Sequence, residues 1–353
     1  MTVALRIPLL LAACLAACRP APLRPEAGIA HLQVDNPSRL PLSLEVVDGD
    51  GRKPVADLGD ATAIALDVVP GAYVLRARTA GGDLELPAPL FANTLPAGAT
   101  LRLAVTPPPP DARTVPDFAF VPAGPAVIGD TLGIGQQDER PVRIVDVPAF
   151  LLARSEVTNA EFAAFLDAAR EVDARWCALD SKKFRCSRGA NGKWSTDAPS
   201  LPVVTVSLAG AQAYCAWLTQ TTGVRHRLPT EVEWEKAARG PASFVFAYGN
   251  VYRRDAANQE SGALGAKAGF AANGFGLWDM TGNAFEWTSD AWSDPQQPAR
   301  SAPGEFHVLR GGSFVLDGMY LRNSFRMRQR PDVRTDDIGF RVARDLPGPR
   351  NPA

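Results

Sequence analysis

The chain reads as an α+β protein in two parts, a small all-β sandwich followed by a larger domain of low regular structure. Three observations predict this. Runs of strand length with alternating apolar and polar residues, separated by turn signals, fill the first third. Only three short segments downstream carry helix-start signals, and no long helical period recurs. Thirty-one prolines and 30 glycines among 353 residues interrupt the chain too often for a helical bundle.

Bulk properties narrow the class. With 46% hydrophobic and 21% charged residues the composition is that of a globular protein. A formal net charge of −1 supplies no basic field, so nucleic acid is not an expected partner. The N-terminus reads as a leader. Arg6 precedes an apolar run, Ile7 to Ala17, too short to remain as a membrane span. That run ends in Leu15-Ala-Ala-Cys18, which is similar to the box before the lipidated cysteine of bacterial lipoproteins. An identical Leu11-Ala-Ala-Cys14 lies upstream, but cleavage there leaves a short apolar core, so residues 1–18 are expected to end at a lipidated Cys18. An ordinary secretory peptide is the alternative. Lipidation would place the protein on a bacterial envelope membrane, facing the periplasm, with the outer membrane favoured.

Residues 28–106 carry the sandwich. Leu42 to Val46 alternates, and Asp48-Gly-Asp-Gly51 makes a tight turn rather than a calcium loop, since no acidic ligands follow at loop spacing. Tyr73, Leu75 and Ala77 form one face of the next strand, and Leu101 to Val105 alternates again. The phrase Leu66-Asp-Val-Val-Pro-Gly-Ala-Tyr-Val74 is similar to surface-associated domains of the PEGA kind. Pro107 to Pro110 then form an extended spacer within a linker at 107–112.

The second domain, residues 113–346, opens with a strand at Phe118 to Val121. Thr158 and Glu161 predict a capping box, with Val157 and Phe162 as its hydrophobic staple. Ser207 caps a second helix that ends at Gly223, and Thr230 with Glu233 starts a third. Long connections fill the remainder, which implies an organising ion or a binding role. In an oxidising compartment Cys177 and Cys186, nine residues apart, are expected to form a disulfide, with a redox pair or half a metal site as the competing reading. Cys215 lies at helical spacing with Ala211 and Leu218 and is expected to be a buried free thiol.

Four motifs carry the functional signal: Leu228-Pro-Thr-Glu-Val-Glu-Trp234, Asn273 to Trp287 (NGFGLWDMTGNAFEW), Arg310-Gly-Gly-Ser-Phe314 and Asp337-Ile-Gly-Phe-Arg341. In this order they closely resemble the formylglycine-generating enzyme, or sulfatase-modifying factor, family over roughly Val115 to Asp345. The resemblance implies a C-type-lectin-like fold with bound calcium. It also implies a copper-dependent oxidation of a client cysteine, carried by two cysteines after the Arg-Gly-Gly-Ser motif. Leu316 and Leu321 stand at those positions. Leucine offers no donor to a soft Cu(I) ion, so copper is not expected and no residue is assigned a catalytic role.

The family's calcium loop corresponds to Asp279, Gly282, Ala284 and Glu286, a hard-oxygen set of two carboxylates and two carbonyls. A further family calcium site would begin at Asn258, but Ser261 to Phe270 offers no acidic residue. Ser313, Arg322 and Arg326 are pocket candidates, with internal ion pairs as the competing reading of the arginines. The expected function is therefore binding or regulation in the cell envelope, with an envelope protein or glycan as partner and the membrane engaged through the lipid anchor. An oxidase of a protein client with non-standard active residues is one alternative. A calcium-dependent glycan-binding module is the other.

Overall fold

Period-two alternation in the first third builds two four-stranded sheets whose apolar faces meet. The structure, a computed structural model, describes residues 2–6, 30–49, 51–68, 71–80, 82–90, 100–106, 112, 115–296 and 304–346. The sandwich strands are β1 (Thr2–Arg6), β2 (Ala30–Asp35), β3 (Leu42–Asp48), β4 (Gly51–Gly59), β5 (Ala63–Val68), β6 (Gly71–Thr79), β7 (Gly82–Leu90) and β8 (Thr100–Ala104). They form sheets of order β1-β5-β2-β8 and β4-β3-β6-β7. Leu32, Val34, Ile64, Leu66 and Leu103 from one sheet pack on Leu42, Leu44, Tyr73, Leu75 and Leu86 from the other. Asp48 pairs with Gly51 across the expected two-residue turn, where Gly49 takes a positive φ of 59°.

One expectation is corrected here. The leader was read as lying outside the fold, yet Thr2–Arg6 run parallel to Ala63–Asp67 on the open edge of β5, where unpaired backbone groups accept a strand of almost any sequence. Cys18 and the rest of the apolar run lie outside the described residues. So do the four prolines read as a spacer at the domain boundary. Phe120 nevertheless packs against the sandwich core, and Asn250 Nδ2 donates to Gly49 O at 2.7 Å, so the domains touch.

The second domain contains β9 (Phe118–Val121), β10 (Gly124–Ile128), β11 (Arg143–Val147), β12 (Phe150–Ala153), α1 (Asn159–Ala168), β13 (Cys186–Arg188) and β14 (Trp194–Thr196). After these come α2 (Leu208–Thr222), β15 (His226–Arg227), α3 (Glu231–Arg239), β16 (Phe285–Ala291), β17 (His307–Arg310), β18 (Met327–Gln329), β19 (Ile338–Gly339) and β20 (Ala343–Arg344). All three helices start where the caps predict. The Thr158 and Thr230 capping boxes are both closed, and Ser207 Oγ accepts from Gly210 N–H. Gly223 ends α2 in the left-handed conformation. Val157 and Phe162 share the main core cluster, as the staple requires. At its centre Phe162 stacks on Tyr214 with ring centroids 6.0 Å apart, and Tyr214 meets Phe340 edge to face at 5.4 Å. None of the helices among the described residues is long and apolar enough to cross a membrane.

The expected disulfide is a further correction. Cys177 and Cys186 are free, buried thiols, and Cys186 Sγ donates to Asn159 O at 3.3 Å. Both side chains serve as core apolar groups beside α1. Cys215 is the buried free thiol expected of it. Burial pushes all three thiols up to about 12.

Helix α3 runs through the interior, so its polar face is buried along with its apolar one. Glu235 pairs with Arg239 and Arg310, and Lys236 Nζ donates to the carbonyls of Pro122 at 2.6 Å and Gly124 at 2.9 Å. Asn273 Nδ2 donates to the carbonyls of Ala237 and Ala238, tying the long 240–284 connection to the helix end. That connection delivers the site.

Candidate functional site

The Asp279–Glu286 loop feeds directly into β16, which fixes Glu286 in the core. Three of its residues, Asp279, Gly282 and Asn283, have positive φ values of 56°, 79° and 65°. At Gly282 a Cβ would lie 2.3 Å from Asn258 O, so only glycine fits. Glu286 is fully buried and accepts a two-pronged pair from Arg341, Nε at 2.7 Å and NH2 at 2.6 Å. Trp234 Nε1 donates to the same carboxylate at 2.6 Å. Asp279 Oδ2 accepts from Ala268 N–H at 2.7 Å.

A third carboxylate, which motif reading missed, joins them. Glu156 lies between β12 and α1 and is 1% exposed. Its Oε1 accepts from Asn283 Nδ2 at 2.8 Å, while Oε2 has no hydrogen-bond partner among the described residues. Burial first, then the negative charge of Asp279, pushes Glu156 up to about 8. Burial likewise raises Asp279. For Arg341 burial opposes the charge, but Glu286, Glu156 and Asp279 outweigh it and raise its pKa. Three carboxylates thus share one guanidinium, a surplus of negative charge in a buried place.

That surplus and the orphaned Oε2 are what a divalent cation relieves, so the residues fit calcium. Among the described residues no three acidic, histidine or cysteine side chains alone make a ligand set. A bound ion would complete its shell with oxygens from Gly282, Ala284 and water, as calcium does. At the other family position, Asn258 Nδ2 donates to Ala263 O at 3.0 Å and to Asn283 Oδ1 at 2.9 Å. Side-chain amides organise that loop.

Next to this cluster runs a groove of about 540 Å³ lined by Leu132, Ile134, Phe246, Tyr252, Met319 and Arg322, with Glu260 and Asp317 at its rim. Behind the lining residue Phe246, Leu321 is wholly buried and packs with Val245 and Phe246. Leu316 is only half-buried, packed against the same cluster. Leu132, Ile134, Tyr252 and Met319 each remain at least 40% exposed, and so do the neighbouring Val251, Val315 and Tyr320. Four of these exposed apolar side chains line one hollow. Gly318 lies flat under the Tyr252 ring, where a Cβ would approach to 2.3 Å.

Arg322 builds the groove rather than offering a free charge. Its guanidinium clasps Glu139 at 2.6 Å and 2.8 Å. Asp130, 3.7 Å from the same group, accepts from the N–H groups of Leu132, Gly133 and Gly135. This braces the loop that carries Leu132 and Ile134. The other two pocket candidates lie off the groove. Arg326 is engaged by Glu231, and Ser313 Oγ donates to Asp337 Oδ2 at 3.2 Å. The internal ion pairs prevail over the anion pocket.

Comparison with known proteins now decides the family. Residues 104–346 match the sulfatase-modifying factor enzyme 1-like domain. The chain belongs to this family. It is 32% identical over 285 residues to the formylglycine-generating enzyme of Streptomyces coelicolor, covering 64% of this chain and 88% of that protein. It is 30% identical over 283 residues to the inactive C-alpha-formylglycine-generating enzyme 2 of Mus musculus, covering 67% and 88%. The structure of PvdO from Pseudomonas aeruginosa matches with a TM-score of 0.55 at 30% identity, over 69% of this chain and 100% of that one. Other curated relatives are longer: the match spans 36% of the protein kinase Pkn1 of Chlamydia trachomatis and 56% of the hercynine oxygenase of Mycolicibacterium thermoresistibile. The fold is the mixed α+β fold of this family, with three helices and many short strands among the described residues.

Proposed function

We propose that this protein is an exported, lipid-anchored binding module whose family domain acts without cysteine oxidation, capturing an envelope partner in the groove above Leu321. The observation that carries the reading is the groove itself. Its lining residue Phe246 packs on Leu321, one of the two leucines at the positions that correspond to the family's copper thiolates, and Leu132, Ile134, Tyr252 and Met319 present exposed apolar side chains along it. The three described cysteines lie in the other core cluster, with thiols pushed up to about 12 by burial, which suits neither a thiolate ligand nor a nucleophile at neutral pH. That a mammalian relative of similar coverage is named inactive agrees with this reading.

Calcium, in the same reading, is structural. Asp279 and Glu286 with the Gly282 and Ala284 carbonyls would hold it beside Glu156, and it would supply the positive charge this buried cluster lacks. The lipid anchor at Cys18 places the groove at a membrane surface.

The test compares Cu(I) binding and cysteine-peptide oxidation in the wild type and in a Leu316→Cys, Leu321→Cys double variant. The wild type should show neither, whereas the double variant should bind Cu(I) through its restored thiolates. Conversion of a cysteine peptide to an aldehyde by the wild type, detected by mass spectrometry, would overturn the non-catalytic reading.

A further inference from the structure

We propose that Asn283 couples the carboxylate cluster to both walls of the groove, so that a divalent cation held by the cluster sets the groove's shape. This rests on the calcium reading above. Asn283 is 1% exposed, and its side chain works in two directions. Nδ2 donates to Glu156 Oε1 at 2.8 Å, inside the cluster. Oδ1 accepts from Asn258 Nδ2 and from Gly265 N–H, each at 2.9 Å, and so holds the 258–265 segment.

Its backbone reaches the opposite wall. Asn283 O accepts from Phe314 N–H at 2.9 Å, at the root of the segment that carries Leu316, Gly318 and Met319. Phe314 O in turn accepts from Ser261 N–H at 3.0 Å, which joins the two walls behind the groove. Gln259 extends the first wall. Its Oε1 accepts from Tyr252 Oη at 3.0 Å, and the Tyr252 ring covers Gly318 on the second wall. The connections therefore form a closed ring, in which Asn283 bonds to the cluster and to both walls.

A cation drawn to Glu156 changes the acceptor that Asn283 faces. Asn283 is held at a φ of 65° by bonds on every side, so it has little freedom to absorb that change alone. The displacement must pass to Asn258, Gly265 and Phe314. By linkage, whatever occupies the groove must alter cation affinity by the same factor.

Amide hydrogen exchange in calcium and in chelator tests this, with calcium binding measured separately by calorimetry. In the wild type, chelator should speed exchange roughly tenfold in residues 258–265 and 313–321, the scale of losing one supporting hydrogen bond. The sandwich strand Leu42–Asp48 should not respond. Asn283→Asp keeps a left-handed backbone and acceptors for Asn258 and Gly265 but loses the donor to Glu156. It should still bind calcium while both walls exchange at one rate with and without it. Asn258→Ala, which leaves Asn283 in place, should abolish the response at 258–265 and retain it at 313–321. Calcium binding to the wild type with no change in either wall would overturn the coupling alone. No calcium binding at all would overturn both the coupling and the calcium reading.

Discussion

Glu156→Gln gives the sharpest test of the carboxylate cluster. Burial and the charge of Asp279 raise the folded-state pKa of Glu156 from an ordinary 4.5 to about 8. A group raised in this way favours the folded state fully below its unfolded pKa and loses that contribution as pH climbs through the folded value. Between about pH 4.5 and about 8 the folded protein therefore holds a proton that the unfolded chain has released. Without a cation, stability should fall across this window with a slope of about 1.4 kcal/mol per pH unit from this residue. Glutamine is an isostere of the protonated acid and keeps an oxygen for Asn283 Nδ2, so the variant should lose that slope. At pH 8 in chelator it should be more stable than the wild type. In calcium the order should narrow or reverse, because the ion stabilises by RT ln(1 + [L]/Kd) only where it binds, about 2.7 kcal/mol at a hundredfold excess over Kd. Urea denaturation at several pH values, with chelator and with calcium, reads all of this. A wild-type-minus-variant difference that stays flat from pH 5 to pH 8 in chelator would refute the reasoning, since it would mean Glu156 is ionised throughout.

Three other perturbations have defined outcomes. Cys18→Ser should move the protein from the membrane to the soluble envelope fraction, because thioether lipidation needs the thiol; unchanged fractionation, with no fatty-acid label on the wild type, would remove the anchor. Native protein should resist alkylation by iodoacetamide at Cys177, Cys186 and Cys215 at pH 7.5 and react only after denaturation, as buried thiols raised to about 12 require; fast native labelling contradicts their burial. Arg322→Ala leaves Glu139 buried without its cation and should cost about 3–5 kcal/mol in denaturation, with faster proteolysis of the 130–140 loop; a change below 1 kcal/mol would show that the pair does not brace the groove.

What the sequence conveyed and what it concealed divide along one physical line, the reach of the interactions involved. Each helix start was legible because a cap acts over four residues: Thr158 with Glu161, Thr230 with Glu233, Ser207 with Gly210. The alternation of Tyr73, Leu75 and Ala77 placed a strand for the same reason. Proximity in sequence misled at Cys177 and Cys186. Nine residues suggested a bond, but the chain used both thiols as apolar filling beside α1. The proline run marked a domain boundary, but the packing of Phe120 on the sandwich core, a contact between distant segments, left no local signal.

The groove was hidden for the opposite reason. Leu132 and Met319 lie 187 residues apart and meet only because Arg322 reaches Glu139 and, through Asp130, steadies the loop between them. Glu156 looked like one more polar residue before a helix cap, and its meaning depends on Asp279, Glu286 and Arg341 arriving from the far end of the chain. One signal was available. The segment Arg310 to Leu321 carries Leu316 and Leu321 at the positions where the family resemblance implies two cysteines. Under the binding reading proposed above, the exposed apolar side chains of Leu132, Ile134, Tyr252 and Met319 would make shape, rather than redox chemistry, what the groove presents.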